Sequence, residues 1–421
     1  MTNPEQTTAT LATDYDIVVF GATSFVGQIL TRYLADTYGV GNQVRWAIAG
    51  RSPSKLASVR DSLGGSASQL PIIAADAGDA VSLAAMCRQS RVIISTVGPY
   101  ALYGEPLVKA CVEHGTDYCD LTGEVQWIRR MIEKYEVQAR ESGARIVHCC
   151  GFDSIPSDMG VWFLQQEAEK RFGQPCEEVR MRVKVAKGGL SGGTVASMMN
   201  VAREAAADPA LRKELANPFS ICPPEHRSSK RQPSLKSAAY DEDFGVWLAP
   251  FVMAAINTRI VHRSNALMGA RYGKEFTYDE AMMTGKGLKA RATAYGITGA
   301  LGGFLVAAAI RPSRWLLERY VVPKPGEGPS PEAQRSGFYD LRFIGKTASG
   351  EEIRTKVTGD RDPGYGSTAK MLGEAGNCLA FDIAKSDKEG GFWTPASIFD
   401  GQLLARLTAK AGLTFEVIEP R

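Results

Sequence analysis

The stretch YDIVVFGATSFVGQILTRYL (15–34) decides the fold of this chain. Its first six residues are apolar apart from Asp16, which is typical of a strand covered on both faces of a sheet. Gly21 ends this run, and from Phe25 onward the apolar residues recur at helical spacing. The sequence therefore predicts a strand, a tight glycine turn and a helix in immediate succession.

Strand–helix alternation continues to about residue 150. Helices are predicted at 25–38, 53–63, 79–89, 104–115 and 124–142. The strands between them are YDIVVF (15–20), VRWAIAG (44–50), LPIIAAD (70–76), RVIISTVG (91–98), DYCDL (117–121) and ARIVHCC (144–150). This order predicts an α/β fold, with an N-terminal doubly wound parallel sheet of the Rossmann type and a second, mixed α+β domain.

The glycine turn has the features of a dinucleotide site. A helix N-terminus presents unpaired N–H groups and a positive dipole end to a pyrophosphate. Gly21 permits the turn, Gly27 allows close helix–strand packing, and Ser24 stands where a third glycine is common, so its hydroxyl could donate to the phosphates. The alternative is a structural turn without a ligand. The predicted contacts are Gly21, Ala22, Thr23, Ser24, Phe25, Val26 and Gly27.

The end of the second strand favours NADP(H) over NAD. No carboxylate stands there to bind a ribose 2′-hydroxyl, whereas Arg51, Ser52 and Lys55 offer donors and cations to a 2′-phosphate. A solvated surface arginine is the alternative for Arg51. Asp76 is predicted to accept from the adenine amino group or to cap a helix. The residues expected beside the nicotinamide ribose are Val97, Gly98, Pro99 and Tyr100, although Tyr100 could equally just pack.

Composition excludes several classes of function. The 421 residues carry 49 basic and 46 acidic side chains, so a net charge of +3 gives no electrostatic case for nucleic acid. Eight cysteines form no C-x-x-C pair, and we predict no metal site but buried free thiols in a reducing cytoplasm. The N-terminus lacks the apolar core of a signal peptide, so residues 1–13 are predicted to be a disordered tail.

The second half of the chain changes pattern. EVRMRVKVAK (178–187) alternates apolar and basic residues like an antiparallel strand with one wet face, FYDLRFIG and EEIRTKVTG flank a hairpin turn, and 217–237 is predicted to be an exposed loop. The predicted domains are 14–155 (Rossmann), 156–360 (α+β, substrate binding and oligomerisation) and 361–421 (C-terminal helices packing back on the Rossmann domain). A homodimer is left open.

Residues 292–310 form an uncharged stretch between two arginines. As a helix it would be about 28 Å long, close to the thickness of the hydrocarbon layer of a bilayer. Four glycines weaken it as a membrane span. Basic and aromatic residues follow to position 320, as in interfacial helices. A buried glycine-rich helix, an acyl channel and peripheral contact with a lipid surface through 292–320 remain alternatives.

Several motifs resemble those of the saccharopine dehydrogenase-like oxidoreductases. They are GATSFVG, AGRS, STVGPY, ACVEHGTDYCDLTGE (110–124), CCGFDSIPSDMG (149–160), GDRDPGYGSTAKMLGEAGNCLA (359–380) and GGFWTPASIFDGQLLARL (390–407). The likeness is strongest to the branch of trans-acting enoyl reductases, which partner polyketide synthases in complex lipid synthesis. The resemblance implies NADPH-dependent reduction of a carbon–carbon double bond in an acyl chain bound to a carrier or synthase.

Polar residues after the fifth and sixth strands are the candidates for catalysis. Tyr118, Asp120 and Asp153 lie at the carboxyl edge of the predicted sheet, where ligands bind in such folds. One of them could donate a proton or anchor the substrate carbonyl, but Asp153 could also cap the next helix. Two other functions remain open: a saccharopine-reductase-like C–N oxidoreductase, and a non-catalytic NADP-binding protein at a lipid surface.

Overall fold

The computed structural model describes residues 13–41, 43–188, 192–320 and 328–419. The predicted tail at 1–13 lies outside these ranges except for its last residue. Two seven-stranded sheets organise the described chain. The first is entirely parallel and contains β1 (Tyr15–Phe20), β2 (Trp46–Gly50), β3 (Ile72–Ala74), β4 (Ser90–Ser95), β5 (Asp117–Asp120), β6 (Arg145–Val147) and, from far along the chain, β13 (Gly391–Trp393).

The strand order of the first sheet is β13-β6-β5-β4-β1-β2-β3. This is the doubly wound order, extended at one edge by β13. On β1, Ile17 and Val19 face one apolar core, and Val18 and Phe20 face the other. The covering helices are α1 (Phe25–Tyr38), α2 (Pro53–Leu63), α3 (Ala80–Arg88), α4 (Tyr100–Tyr103), α5 (Glu105–His114), α6 (Val125–Ser142) and α14 (Thr368–Phe381).

The second sheet is mixed and contains β7 (Cys176–Lys187), β8 (Ala239–Asp241), β9 (Val246–Pro250), β10 (Thr277–Gly285), β11 (Phe338–Thr347), β12 (Glu352–Gly359) and β14 (Leu413–Val417). Its strand order is β14-β12-β11-β7-β10-β9-β8. The central strand β7 runs antiparallel to β11 and parallel to β10. The expectation of an antiparallel strand was therefore right on the β11 side of β7 and wrong on the β10 side.

The remaining helices pack against the second sheet or join it to the first. They are α7 (Ile155–Phe172), α8 (Gly192–Ala207), α9 (Pro209–Ala216), α10 (Ala254–Leu267), α11 (Gly287–Ala309), α12 (Arg311–Tyr320), α13 (Pro331–Ser336) and α15 (Pro395–Arg406). The region from 361 to the C-terminus, expected to be helical, also supplies one strand to each sheet, β13 and β14.

Three sequence expectations need correction. The wet face of β7 is partly covered, because Arg182 is buried in ion pairs with Asp241 (2.8 Å) and Asp279 (2.9 Å). The loop predicted at 217–237 is exposed from 224 onward in most positions, but its start from Phe219 to Cys222 is buried. Tertiary packing decided both, because neither pattern reveals which element covers it.

Helix α11 is the third correction. The alternative of a buried glycine-rich helix is wrong, because most of α11 is exposed and its fully buried residues are Ala290, Ala294 and Ala308. By length and composition this is a helix that could cross a membrane, with a mean hydropathy of 1.4 over an 18-residue window. A Cβ atom added at Gly296 or Gly299 would meet nothing within 4 Å.

Candidate active site

The turn between β1 and α1 requires its two glycines. Gly21 has φ +87°, and a Cβ atom there would lie 2.7 Å from Val97 Cγ2. A Cβ atom at Gly27 would lie 2.2 Å from the Gly21 carbonyl oxygen. Any side chain at these positions would push the helix away from the strand. The turn therefore brings the N-terminus of α1 close to the end of β4.

Ser24 is the N-cap of α1, and its hydroxyl is already engaged. It accepts from the Gly27 N–H at 2.9 Å and lies 3.0 Å from the Thr96 hydroxyl, which itself lies 2.9 Å from the Gly21 carbonyl. Because the Thr96 hydroxyl donates to the Gly21 carbonyl, it accepts the hydrogen bond that the Ser24 hydroxyl donates. The side chain of Ser24 thus fixes the turn, and backbone N–H groups are the donors left for a phosphate.

A cleft of about 3340 Å³ opens at the carboxyl edge of the first sheet and extends across the second domain. This exceeds the usual volume of a small-molecule site several-fold, which leaves room for a dinucleotide and a second ligand. Twelve of the fifteen predicted cofactor residues line it: Gly21, Thr23, Ser24, Phe25, Val26, Arg51, Lys55, Asp76, Val97, Gly98, Pro99 and Tyr100.

The other three cofactor candidates do not line the cleft. Ala22 and Gly27 are buried behind the turn. Ser52 caps α2, where its hydroxyl accepts from the Lys55 N–H at 3.4 Å. The alternative role suggested for Asp76 belongs to another residue, because Asp79 is the N-cap of α3. Asp76 instead faces the cleft and accepts from the Gly78 N–H at 2.9 Å.

The cleft fits NADP(H) at its 2′-phosphate end. Arg51 and Lys55 are both exposed there, and neither is within 4 Å of a carboxylate among the described residues. Two free cations beside the glycine turn match a ligand with a diphosphate and an additional phosphate. The glycine cradle and these cations are the groups in the cleft that could hold the two ends of such a dinucleotide.

Tyr118 and Asp120 are buried and do not line the cleft. Asp120 accepts from the Tyr118 hydroxyl (3.0 Å), from His148 Nδ1 (2.8 Å) and from the Cys149 N–H (3.2 Å). The Thr122 N–H adds a further bond at 3.1 Å. This network joins the ends of β5 and β6, so both residues shape the edge of the sheet from beneath.

Asp153 is the catalytic candidate that does line the cleft. Burial, with the negative charge of Asp120 nearby, raises the pKa of Asp153 to about 7. It is not the N-cap of the next helix, since Ser154 precedes α7 and its hydroxyl donates to Asn257 at 3.1 Å. A carboxyl group that is partly protonated near neutrality can deliver a proton to a ligand in the cleft.

Tyr100 and Glu124 hold the crest after β4. The Glu124 carboxylate accepts from the Tyr100 N–H at 2.8 Å, from the Ala101 N–H at 3.1 Å and from the Ser197 hydroxyl at 3.0 Å. The Tyr100 hydroxyl donates to the Ser95 carbonyl at 2.9 Å. Both polar groups are therefore used within the protein, and the Ser197 bond ties this crest to α8 of the second domain.

The structure adds two cleft residues that the sequence reasoning missed. Glu280 is buried on β10 and accepts from the Tyr278 hydroxyl (2.7 Å) and from Asn257 Nδ2 (2.9 Å), and burial raises its pKa to about 7. Gln126 is 1 % exposed, and both polar atoms of its amide lack a protein partner. Acidic residues inside the otherwise apolar strand sequence 277–283 were a signal for Glu280. Nothing in the sequence singled out Gln126.

No metal centre is found within the residues that the structure describes, where no three His, Cys, Asp or Glu side chains gather at ligating distance. All eight cysteines are buried and free.

Comparison with known proteins identifies the class. Residues 17–147 match the family described as "Saccharopine dehydrogenase NADP binding domain". The apo saccharopine dehydrogenase (L-Glu forming) of Saccharomyces cerevisiae shares the fold, with a TM-score of 0.53 and 12% identity over 96% of this chain and 99% of that one. The protein is accordingly an NADP-dependent oxidoreductase with a Rossmann domain.

Closer relatives define the family. A "Trans-acting enoyl reductase" of Mycobacterium bovis is 39% identical over 94% of this chain and 96% of its own length. That of Mycobacterium ulcerans is also 39% identical, over 94% and 96%. A Mycobacterium tuberculosis protein that carries the same name provisionally is 42% identical over 96% of this chain and 97% of its own length. The chain belongs to the trans-acting enoyl reductase family of saccharopine dehydrogenase-like oxidoreductases.

Proposed function

We propose that this protein reduces the carbon–carbon double bond of an enoyl thioester with NADPH, on an acyl chain presented by a separate carrier or synthase. The observation that carries the proposal is the continuity of the cleft. It runs from the glycine turn past Asp153 into an apolar chamber. The chamber wall includes Val195, Val201, Leu301 and Phe304, side chains suited to an acyl chain rather than to an amino-diacid.

Asp153 is the proposed proton donor. When bound, the dinucleotide supplies a hydride to the β-carbon of the enoyl group. The Asp153 carboxyl then gives its proton to the α-carbon, the double bond becomes a single bond, and solvent reprotonates the carboxylate. Tyr118 and Asp120 act as positioning residues, because their bonds to each other and to His148 hold the strand ends beside Asp153.

The test is turnover of a soluble 2-enoyl thioester. Purified protein should oxidise NADPH in proportion to saturated thioester formed, and should prefer NADPH to NADH. Incubation with a 2-oxo acid and an amino acid tests the C–N alternative. Oxidation of NADPH by that pair and not by enoyl thioesters would overturn the proposal, as would tight NADPH binding without turnover of any acceptor.

The finer biological setting is also a proposal. The names of the relatives, which describe enoyl reductases acting in trans, support a separate synthase partner. We assign the reaction to polyketide-type lipid synthesis in the cytoplasm, where eight buried free thiols are stable. Co-purification with a synthase, or stimulation of its product reduction, is the corresponding measurement.

Helices α11 and α12 are proposed to lie on an anionic lipid surface. Together with the cap residues of α11, they expose apolar side chains beside cationic ones: Tyr295, Val306, Ile310, Trp315 and Leu316 with Lys286, Lys289 and Arg291. The strands before and after this pair, β10 and β11, both pair with β7, so both ends return to one sheet. That topology favours contact in the plane of the surface over a single crossing.

Flotation with anionic vesicles tests this surface. Trp315→Ala with Leu316→Ala should reduce the bound fraction. The matched control is Val81→Ala with Val137→Ala, which removes exposed apolar side chains from the Rossmann domain. Equal binding of all three proteins, or binding of none, would remove the lipid contact.

A further inference from the structure

A strongly cationic loop lies beside the acyl chamber. Between residues 226 and 239 the sequence has four cationic and no acidic side chains. We call this segment the basic loop, and its cations are Arg227, Lys230, Arg231 and Lys236. All four are exposed, and none lies within 4 Å of a carboxylate of the described residues. A cluster of like charges without partners costs free energy, which a ligand of opposite charge would offset.

The basic loop is held at the cleft and not free in solvent. Gln232 Nε2 donates to the Phe276 carbonyl at 3.1 Å, and its Oε1 accepts from the Tyr278 N–H at 3.3 Å. These bonds fasten the middle of the loop to β10, the strand that carries Glu280 into the chamber. Lys230, Arg231 and Lys236 themselves line the cleft. The positive charge therefore lies at the wall of the cleft, on side chains that are open to solvent.

The acidic residues nearest in sequence are already used or face elsewhere. Asp241 pairs with Arg182 at 2.8 Å, and Asp243 pairs with Arg180 and with Lys346 at 3.0 Å. Glu225 and Glu242 are exposed, but neither lines the cleft. The charge of the basic loop is thus not neutralised from within the described chain. Nor does it suit nucleic acid, because the chain as a whole is only +3.

We infer that the basic loop is the docking site for an acidic acyl carrier domain, which delivers its thioester-linked chain into the adjacent chamber. This inference rests on the proposed function and adds how the substrate is recognised. A carrier with an acidic face has the complementary charge, and attraction of this kind acts mainly on the association rate and falls with salt. The thioester arm can then enter while the carrier stays outside.

The experiment compares one enoyl group on two vehicles. The probes are a 2-enoyl chain on an acidic, free-standing holo acyl carrier protein and the same chain on a small soluble thiol. In the wild type, carrier-bound kcat/KM should fall steeply with salt. Charge reversal of the loop (Lys230→Glu, Arg231→Glu and Lys236→Glu) should lower it at least tenfold at low salt and abolish the salt dependence, while kcat/KM for the small thioester and NADPH affinity stay unchanged.

Matched variants and failures keep the test sharp. The control reverses three exposed cations outside the cleft, Arg88, Lys274 and Arg335, and should leave both substrates unaffected. Replacement of the three loop cations by glutamine should give an intermediate loss, and covers the case in which charge reversal impairs folding. Equal loss on both vehicles overturns the docking inference. The docking inference is also overturned if charge reversal leaves kcat/KM for the carrier-bound substrate unchanged. It is overturned as well if the reversed variant loses binding to anionic vesicles and keeps its turnover of the carrier-bound substrate. Failure of the wild type on the small thioester instead overturns the proposed function.

Discussion

Asp153→Asn is the most informative single change in the cleft. Asparagine keeps the size of the side chain but has no acidic proton to give. If Asp153 is the proton donor, kcat/KM for the small enoyl thioester should fall by about 10²–10⁴-fold, the usual contribution of a general acid. NADPH affinity should change little, because the glycine turn and Arg51 are untouched.

The pH dependence follows from the raised pKa. With the pKa of Asp153 at about 7, the protonated, active form predominates below that pH and is lost above it. Wild-type kcat/KM should therefore fall by about tenfold per pH unit on the alkaline side. Glu280→Gln is the matched control, because burial raises the pKa of that carboxyl to about 7 as well. That variant should keep the alkaline fall, whereas Asp153→Asn should lose it.

Asp153→Asn should raise the stability of the fold although it lowers activity. The folded pKa of about 7 lies above the usual 3.8, so folded protein holds this proton more tightly than unfolded chain. Stability is then lost as pH rises from about 4 to about 7. The full linkage of about three pKa units corresponds to about 4 kcal/mol at most. Asp153→Asn should thus be more stable than wild type at pH 8, by about 1–4 kcal/mol in urea unfolding.

Either of two results would contradict proton donation by Asp153. The first is an Asp153→Asn variant that binds NADPH normally and has the same kcat/KM as the wild type. The other is an alkaline limb that survives the substitution but disappears in Glu280→Gln, which would assign the proton to the other carboxyl.

Three further changes test the cofactor site and the buried network. Replacement of Arg51 and Lys55 by alanine should weaken NADPH binding about 10–100-fold and leave NADH binding nearly unchanged in calorimetric titration, because two cations facing the 2′-phosphate are lost; equal loss for both dinucleotides would contradict this. Gly21→Val should abolish binding of both dinucleotides in the same titration, since its side chain would collide with Val97 at a backbone conformation that valine avoids; retained affinity would contradict the cradle. Tyr118→Phe should cost about 1.5–3 kcal/mol in urea unfolding, the value of a hydrogen bond to a charged group, while kcat stays within a few-fold; a collapse of kcat in a stable variant would make Tyr118 catalytic after all.

Local periodicity was enough to predict the first domain. The helix limits expected at 25–38 and 53–63 agree with α1 and α2, and six predicted strands form the parallel sheet. A strand that is buried on both faces of a sheet must be apolar along its whole length, so the pattern can be read within a few consecutive residues. β13 was not predicted, because it has three residues and pairs with β6 across about 250 residues of chain. Pairing at that distance leaves no periodic trace in so short a segment.

Candidate residues divided along the same line. Backbone roles were readable, because Gly21 and Gly27 follow from steric rules alone. Side-chain roles were not: Tyr118 and Asp153 both follow strands of one sheet, yet the first turns into a buried network and the second faces the cleft. Tyr118 donates to Asp120, and Asp120 in turn bonds to His148, which follows a different strand. Contacts between separate elements of this kind set the direction of a side chain, and they leave no mark in the local sequence.

By itself, the sequence determined the Rossmann domain, the glycine cradle and the cationic end of the dinucleotide site, since each depends on residues within one strand–turn–helix unit. Only the tertiary structure decided that Asp153 faces the cleft, that α11 is exposed and that cations of the basic loop line the cleft. Those three features depend on which elements of the second domain pack against the first, and long-range packing is set by the whole surface of each element and not by any local pattern.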